Sequence, residues 1–148
     1  MQLTTFSDYC MRTLIYLGLK NNEMTTISSI ASAYAISENH LMKIVHFLGQ
    51  RGYIETTRGK GGGIRLARAA NTINIGELLL ATEGDAGLLE CVNGQSSCCI
   101  QSACKLTDIL REAQTALYGV LSQYTLADLL RQEAPLTKIL FYPNVVKI

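Results

Sequence analysis

Cysteines are the residues of this chain whose spacing most clearly indicates chemistry. Of the five, four lie within one short stretch, at Cys91, Cys98, Cys99 and Cys104. In a reducing compartment, clustered cysteines indicate metal binding or redox chemistry rather than a disulfide scaffold. Structural zinc sites usually pair cysteines with about two to four residues between them, and only Cys99 and Cys104 fit that spacing, at its upper limit. The wider gaps in the loop favour an iron–sulfur cluster. A zinc site, a disulfide and unreactive buried thiols are the alternatives.

The neighbours Cys98 and Cys99 are expected to have different roles. Adjacent side chains of an extended chain point to opposite sides, so the two thiols are not expected to bind the same cluster. Three thiolates then leave one position of the cluster to another ligand, where iron can meet a small molecule. Such an arrangement suits a sensor. The fifth cysteine, Cys10, lies on the apolar stripe of the first predicted helix and is expected in the core.

Charge is unevenly distributed along the sequence. The net charge is only +1 over 148 residues, but residues 1–70 contain eight Lys/Arg against four Asp/Glu, and the remainder is acidic. Residues 43–68 hold six cations and a single anion, Glu55. Such a basic segment can face the phosphates of a nucleic acid, a partner that the near-neutral total does not suggest.

Three helical patterns occupy the first third of the chain. The first covers residues 6–17, and Thr5 with Asp8 is expected to form a capping box at its start. The second covers residues 27–34, and the third begins at Ser37 and ends at Gly52. The short connection between the second and third helices indicates a helix-turn-helix.

The third predicted helix has a polar face opposite an apolar one. The polar face carries Asn39, Lys43, His46 and Gln50. Asn can form two hydrogen bonds with adenine, and Lys can donate to guanine or to phosphate. Helix-turn-helix proteins place the N-terminal part of this helix in the major groove. The alternative is an ordinary solvated helix face.

A basic hairpin is predicted next. Two β-prone runs, residues 53–57 and 64–67, flank the glycine-rich sequence 58–63. The glycines let the backbone approach a ligand closely, and the cations can enter a minor groove or contact phosphates. A helix-turn-helix followed by such a hairpin predicts a winged helix, so the expected fold class is mainly α with a small β-hairpin. The residues expected to contact DNA are Ser28, Ser37, Asn39, His40, Lys43, Arg51, Arg58, Lys60, Gly62 and Arg65.

Helices are also predicted after the hairpin. Asn74 is expected to cap a short helix that ends at Gly84, and Thr125 with Asp128 to cap a last short helix that Pro135 ends. Between them, a helix of roughly 18 residues carries apolar side chains at alternating spacings of about four and three. This seam favours a partner helix, and thus a two-fold dimer, over packing within the chain. It comprises Leu106, Leu110, Ala113, Leu117, Val120 and Tyr124.

These motifs divide the chain into a winged helix-turn-helix region (1–83), a cysteine loop (84–105), a dimerisation helix with a short C-terminal helix (106–134) and a tail (135–148). No apolar run reaches the roughly 18 residues that span a bilayer, and the N-terminus lacks a signal-peptide pattern. We therefore expect a cytoplasmic protein without a membrane partner. Both histidines, His40 and His46, fall on the third helix, and no set of nucleophile, base and carboxylate is recognisable, so an enzyme is not expected.

Four stretches together resemble the Rrf-type winged-helix regulators, namely residues 1–12, 37–43, 58–66 and 98–106. The resemblance covers residues 1–133 and is greatest to the nitric-oxide-sensing repressors of that family. It implies a homodimeric transcriptional repressor with one iron–sulfur cluster per subunit. Such a repressor binds palindromic double-stranded operator DNA and releases it when nitric oxide reacts with the cluster.

The resemblance also implies which residues bind the cluster. Cys91, Cys98 and Cys104 correspond to the loop ligands, and Asp8 of the partner subunit corresponds to a fourth ligand. Cys98 is preferred to Cys99 because the five-residue gap before Cys104 matches the family pattern, but the six-residue gap after Cys91 leaves the choice open. Three thiolates and one oxygen ligand favour a 4Fe–4S cluster, with 2Fe–2S as the alternative.

Other kinds of regulator are compatible with the same motifs. One would sense cluster supply or redox state through the same cluster. Another would lack a cluster and respond to cysteine oxidation. For Asp8, the alternative to a ligand role is the capping box with Thr5.

Overall fold

The structure is a computed structural model that describes residues 2–84, 88–94 and 96–142. It is mainly helical with one two-stranded antiparallel hairpin, which confirms the predicted fold class. Parts of the predicted cysteine loop (85–87 and 95) and the end of the predicted tail (143–148) lie outside the described residues. Within the described ranges, no helix is both long and apolar enough to cross a bilayer.

The helices and strands follow one another in an order that places the hairpin directly after a helix-turn-helix. The helices are α1 (Thr5–Leu19), α2 (Ile27–Tyr34), α3 (Glu38–Gln50), α4 (Ile75–Glu83), α5 (Lys105–Leu121), α6 (Leu126–Leu129) and α7 (Glu133–Phe141). The strands are β1 (Ile54–Thr57) and β2 (Gly63–Leu66). Short 3-10 turns lie at Ala70–Thr72, Glu90–Asn93 and Gln101–Ala103.

The chain forms two compact units, and the larger contains Asp8–Ile73 together with the chain from Thr125 onward. Its core combines side chains from α1, α2 and α3, since each helix has one apolar face to remove from water. Fully buried members of this core are Leu14, Leu17, Ile30, Leu41, Ile44 and Leu48. The hairpin is fixed to this core because Thr25 and Ile64 exchange backbone hydrogen bonds of 3.0 and 2.8 Å.

The second unit comprises the N-terminal residues up to Ser7 and Asn74–Tyr124, so it contains α4, α5 and the cysteine loop. Asn74 caps α4 as predicted, and its amide also donates to the Ser122 carbonyl at 2.7 Å. α4 approaches the end of α5 closely at Gly76, where a Cβ would lie 2.1 Å from the Ser122 Oγ. Only glycine permits this approach.

α5 is present as predicted, but it buries little of its apolar surface. Leu106, Ile109 and Val120 are each more than half exposed, and Thr107 is its buried residue. An apolar cavity of about 590 Å³ runs along one side of the helix and is lined by Leu106, Leu110, Leu117 and Leu89 among others. The helix therefore presents apolar side chains that have no cover within the described part of this unit.

Two local predictions are wrong. α1 is capped by Thr4, whose hydroxyl accepts from the Ser7 N–H at 3.2 Å, and not by Thr5 with Asp8. Pro135 does not end a helix but lies in the first turn of α7, where a missing N–H costs no hydrogen bond. The capping box of Thr125 and Asp128 on α6 is confirmed.

The predicted segments and the compact units divide the chain at different places. The units change at 7/8, 73/74 and 124/125, so α4 belongs with α5 and not with the helix-turn-helix. Half of the predicted tail is helical, because α7 continues to Phe141. The functions assigned to the four predicted segments stay predictions.

Candidate nucleic-acid interface and cysteine loop

α3 presents a polar face to solvent because its other face is buried. The Ser37 hydroxyl caps the helix by accepting a hydrogen bond from the His40 N–H at 3.3 Å. The apolar face is buried through Leu41, Ile44, Val45 and Leu48. Exposed on the other side are Asn39, His40, Lys43, His46 and Gln50. The predicted polar stripe is therefore solvent-accessible, as contact with base edges requires.

Two other residues predicted to contact DNA lie one in the helix before this stripe and one directly after α3. Ser28 is exposed in the first turn of α2, which Thr26 caps through a hydrogen bond from the Ser29 N–H. Arg51 follows α3, and its guanidinium lies 5.3 Å from the centre of the Phe47 ring. Stacking on a ring orients a guanidinium without using its N–H donors.

The hairpin carries two exposed cations at its tip. Arg58 and Lys60 lie between β1 and β2, and neither forms an ion pair within the described ranges. An unpaired, solvated cation can neutralise a phosphate without first breaking an internal salt bridge. The tip is therefore electrostatically suited to a nucleic-acid backbone.

Arg65 differs from the two tip cations. It lies directly opposite Glu55 in the β1–β2 register, and its Nε forms an ion pair with the Glu55 carboxylate. Both side chains are exposed, so water and salt weaken the pair. Glu55 nevertheless offsets part of the charge that Arg65 was predicted to offer DNA.

Gly62 has an intramolecular reason to be glycine. A Cβ at this position would lie 2.2 Å from the Thr57 carbonyl oxygen, far inside van der Waals contact. The Gly62 N–H also donates to the Gly59 carbonyl at 3.0 Å and closes the turn. The glycine is thus required to shape the hairpin tip, whether or not a ligand approaches it.

α1 connects the residue predicted as a cluster ligand to the helix-turn-helix. The Asp8 carboxylate pairs with Arg12 at 2.9 Å, and the Arg12 guanidinium lies 5.7 Å from the centre of the Tyr34 ring in α2. Tyr9 contacts His40 of α3, with ring centroids 6.2 Å apart. Burial raises the pKa of Tyr34 to about 12, so this phenol is neutral at physiological pH. Asp8 therefore directly precedes Tyr9, the residue of α1 that contacts α3.

The cysteine loop belongs to the unit that contains α5. Cys91 lies in the 3-10 turn Glu90–Asn93, and its carbonyl accepts a long hydrogen bond from the Gln101 amide at 3.5 Å. All five cysteines are free thiols. Cys98 and Cys99 are exposed, whereas Cys10 is fully buried, and burial raises the pKa of the Cys10 thiol to about 12. Cys10 is thus an unreactive core residue, as predicted.

A cavity of about 680 Å³ opens at the start of α5, and Cys98, Cys99 and Cys104 all line it. Residues 99 and 100 form a turn, so the chain is not extended here, as the expectation that adjacent cysteines point apart assumed. The expected difference in role between Cys98 and Cys99 stays a prediction. Cys91 does not line this cavity, and its carbonyl is held by the Gln101 amide.

The donor set suits an iron–sulfur cluster. Thiolates are the usual ligands of such clusters, and four free thiols lie in this one loop. Thr107 also lines this cavity, but its hydroxyl oxygen is inaccessible to water and makes no hydrogen bond within the described ranges. In those ranges no three His, Cys, Asp or Glu side chains are close enough to hold a metal ion, so cluster binding would require the loop cysteines to move closer to one another.

Sequence reasoning does not identify two residues of these sites. Thr107 lies three residues after Cys104, one helical turn away, and that spacing is the signal that points to it. Tyr9 was visible only as part of an apolar stripe, and its contact with His40 depends on how α1 packs on α3.

Comparison with known proteins gives consistent results. A model of the Rrf2 family, described as iron-dependent transcriptional regulator, matches residues 3–132. The chain is 48% identical over 142 residues to the HTH-type transcriptional regulator NsrR of Bacillus licheniformis, covering 95% of this chain and 99% of the relative. Identity to NsrR of Bacillus subtilis is 44%, with 95% and 97% covered.

Solved structures agree with the fold. The chain superposes on IscR of T. potens with a TM-score of 0.72 at 22% identity, covering 89% of this chain and 88% of that one. The oxidized form of Staphylococcus aureus CymR gives a TM-score of 0.70 at 26% identity, with 88% and 97% covered.

Proposed function

Since the chain belongs to the Rrf2 family of iron-dependent transcriptional regulators, we propose that it is a homodimeric repressor that senses nitric oxide through an iron–sulfur cluster. That it is a DNA-binding transcriptional regulator and not an enzyme follows from the family. The cofactor, signal and assembly are the proposal. The observation that carries them is the cysteine loop, which holds four free thiols and of which three cysteines line one cavity at the start of α5.

In the proposed DNA complex, α3 lies in the major groove and the hairpin contacts the backbone or the minor groove. Asn39 and Lys43 read base edges from the exposed face of α3. Arg58 and Lys60 neutralise phosphates, since neither has an ion-pair partner within the described ranges. Arg65 contributes less because Glu55 already offsets its charge.

The proposed dimer forms through the apolar side of α5. Leu106, Ile109 and Val120 are more than half exposed, and a monomer gains nothing from leaving such side chains in water. A two-fold dimer places two copies of α3 about one DNA turn apart, roughly 34–36 Å. The operator is then an inverted repeat.

Cys91, Cys98 and Cys104 would hold the cluster, with Asp8 of the partner subunit as an oxygen ligand. When bound, the cluster supplies iron that reacts with nitric oxide. Three thiolates and a carboxylate suit a 4Fe–4S cluster, with 2Fe–2S as the alternative. The absence of the predicted cap between Thr5 and Asp8 supports this role, because the Asp8 carboxylate is then not required by its own helix end.

The link from Asp8 to DNA runs through α1. In the free chain, Asp8 pairs with Arg12, and this exposed pair costs little to exchange for another partner. Exchange would release Arg12 beside Tyr34 and shift Tyr9 against His40. A difference of about 3–4 kcal/mol between the two states would change operator affinity by roughly a few hundred-fold.

The first test is direct. Protein purified without oxygen is expected to contain iron and acid-labile sulfide and to bind a palindromic operator in fluorescence anisotropy, and nitric oxide is expected to release the DNA. Cys98→Ser should lose the cluster and Cys99→Ser should keep it, which makes them a matched pair. Wild-type protein without iron or sulfide would refute the proposal.

One competing function is supported by a specific observation. Cys98 and Cys99 are exposed free thiols, which suits a regulator that responds to thiol oxidation without a cluster. Such a protein would contain no iron and would release DNA on treatment with peroxide, reversibly with a thiol reductant.

A sensor of cluster supply is the other alternative. It would contain iron, but nitric oxide would lower its affinity for DNA no more than simple removal of the cluster does.

A further inference from the structure

Met42 is an apolar residue on the exposed side of α3. Among the residues of α3, all of which the structure describes, it is the one large apolar side chain that is exposed, at 51%. The buried face of the helix already consists of Leu41, Ile44, Val45 and Leu48, so the packing of α3 does not require Met42. Isolated exposed apolar side chains are common, so exposure alone assigns Met42 no role. Its position on the helix is the further observation.

Met42 lies beside the polar stripe of α3. It follows Asn39 by three residues and precedes His46 by four, and residues at these spacings are neighbours on a helix surface. All three side chains are exposed. Met42 is the fifth residue of α3, in the N-terminal half that helix-turn-helix proteins direct at base edges. A helix that enters the major groove through Asn39 therefore brings Met42 to the base edges as well.

The chemistry of the major groove restricts what an apolar side chain can contact there. Guanine, adenine and cytosine present hydrogen-bond donors and acceptors, whereas thymine also presents its C5-methyl group. An apolar side chain placed against a polar edge removes that edge from water without replacing its hydrogen bonds, which is costly. Against the thymine methyl group, it removes apolar surface of both partners from water. The flexible thioether chain of methionine can also adapt to the position of the methyl group.

We infer that Met42 is a specificity-determining residue whose side chain contacts the C5-methyl group of a thymine in each half of the operator. This inference deepens the proposed function, because it rests on the placement of α3 in the major groove. It adds an apolar contact to the hydrogen bonds assigned to Asn39 and Lys43. Since Met42 is uncharged, its contribution to affinity should not depend on salt, unlike that of Lys60.

The test removes the two methyl-bearing partners one at a time. Wild-type protein purified without oxygen selects a duplex from a random library, and each symmetry-related pair of thymines in it is replaced in turn by deoxyuridine, which lacks the C5-methyl group and pairs in the same way. Affinities of wild type, Met42→Ala and Ile139→Ala are measured by fluorescence anisotropy at one salt concentration. Ile139 of α7 is 55% exposed, so Ile139→Ala is the matched control for loss of an exposed apolar side chain.

The expected result is a loss that depends on both partners. At one thymine position, deoxyuridine should weaken wild-type binding about fourfold per half-site, or about 15-fold for the pair, as burial of one carbon group predicts. Met42→Ala should bind the thymine duplex more weakly than wild type and lose nothing further at that position, whereas Ile139→Ala should respond like wild type. The urea midpoint of Met42→Ala should stay close to that of wild type, because the side chain is exposed.

Two results would overturn the inference while leaving the proposed function intact. One is an equal loss for wild type and Met42→Ala at every deoxyuridine position, and the other is no loss for wild type at any position. If wild-type protein selects no sequence from the library, the proposed placement of α3 in the major groove has failed as well.

Discussion

Replacement of Lys60 by alanine tests the hairpin as a contact to DNA phosphates. Lys60 is exposed and has no ion-pair partner within the described ranges, so its full charge is available. Removing one phosphate contact reduces the slope of log K against log salt by about 0.9, so Lys60→Ala in a dimer with two hairpins should reduce it by about 1.8. Between 50 and 200 mM salt, the affinity of the wild type should therefore fall about tenfold more than that of Lys60→Ala.

The assay is fluorescence anisotropy of a labelled operator over this salt range, with the loaded protein in both cases. Arg65→Ala should change the slope less than Lys60→Ala, because Glu55 already offsets its charge. Lys138→Ala, which removes an exposed lysine of α7, is the charge control and should leave the slope unchanged. An unchanged slope for Lys60→Ala, or an equal change for Lys138→Ala, would refute the phosphate contact.

Three other variants test separate parts of the molecule. Gly62→Ala places a Cβ against the Thr57 carbonyl and should cost about 1–3 kcal/mol in urea unfolding, whereas Gly49→Ala in α3, with open space around it, should be neutral or stabilising. Asp8→Ala should accelerate cluster loss and weaken operator binding while leaving the stability of the cluster-free protein almost unchanged, and a wild-type rate of cluster loss would contradict the ligand role. Burial tends to raise the pKa of Glu83, but hydrogen bonds from Ser7 and Thr4 outweigh this effect and lower the pKa. Glu83→Gln should therefore be less stable than wild type at pH 7. The difference in stability should shrink as the pH falls below about 4. A difference that persists unchanged at acidic pH would show that the Glu83 charge is not involved.

The sign of the Glu83 effect follows from linkage. The pKa of Glu83 is lower in the folded chain than in the unfolded one, so its contribution is present above the unfolded value of about 4.3. It is lost as the pH falls through the folded value, when the carboxylate is protonated. The Thr4 N–H and hydroxyl donate to Glu83 at 2.8 and 2.9 Å, so protonation weakens the bonds that hold the start of α1 to the end of α4.

Local signals in the sequence were sufficient for the winged helix-turn-helix. Ser37 and Asn74 are caps that act on N–H groups three residues away, and the hairpin follows from a glycine-rich turn between two β-prone runs. Interactions of this kind depend on neighbours in the chain, so the pattern of residue types contains most of the information. The free thiols and their clustering in one loop are likewise properties of the sequence.

Capping of α1 shows where local patterns stop being sufficient. Thr4 and Thr5 are both suitable N-cap residues, and the local pattern favours Thr5, because Asp8 three residues later fits a capping box whereas Ser7 does not. Glu83 determines that Thr4 is the cap, because it accepts hydrogen bonds from Thr4 and Ser7, which lie 76 or more residues away in the chain. Pro135 is a second case, because a proline can either end a helix or occupy its first turn, and in the structure it lies in the first turn of α7.

The sequence by itself determined the type of protein: a winged helix with a basic hairpin, a cysteine loop and a helix whose apolar stripe predicts a partner helix. Only the tertiary structure decided which of these side chains are free to act. It pairs Arg65 with Glu55 but leaves Lys60 unpaired within the described ranges, and it brings Cys98, Cys99 and Cys104 to one cavity. Pairing and burial depend on how the strands align and how the loop folds, and the residue types and their spacing alone do not specify either.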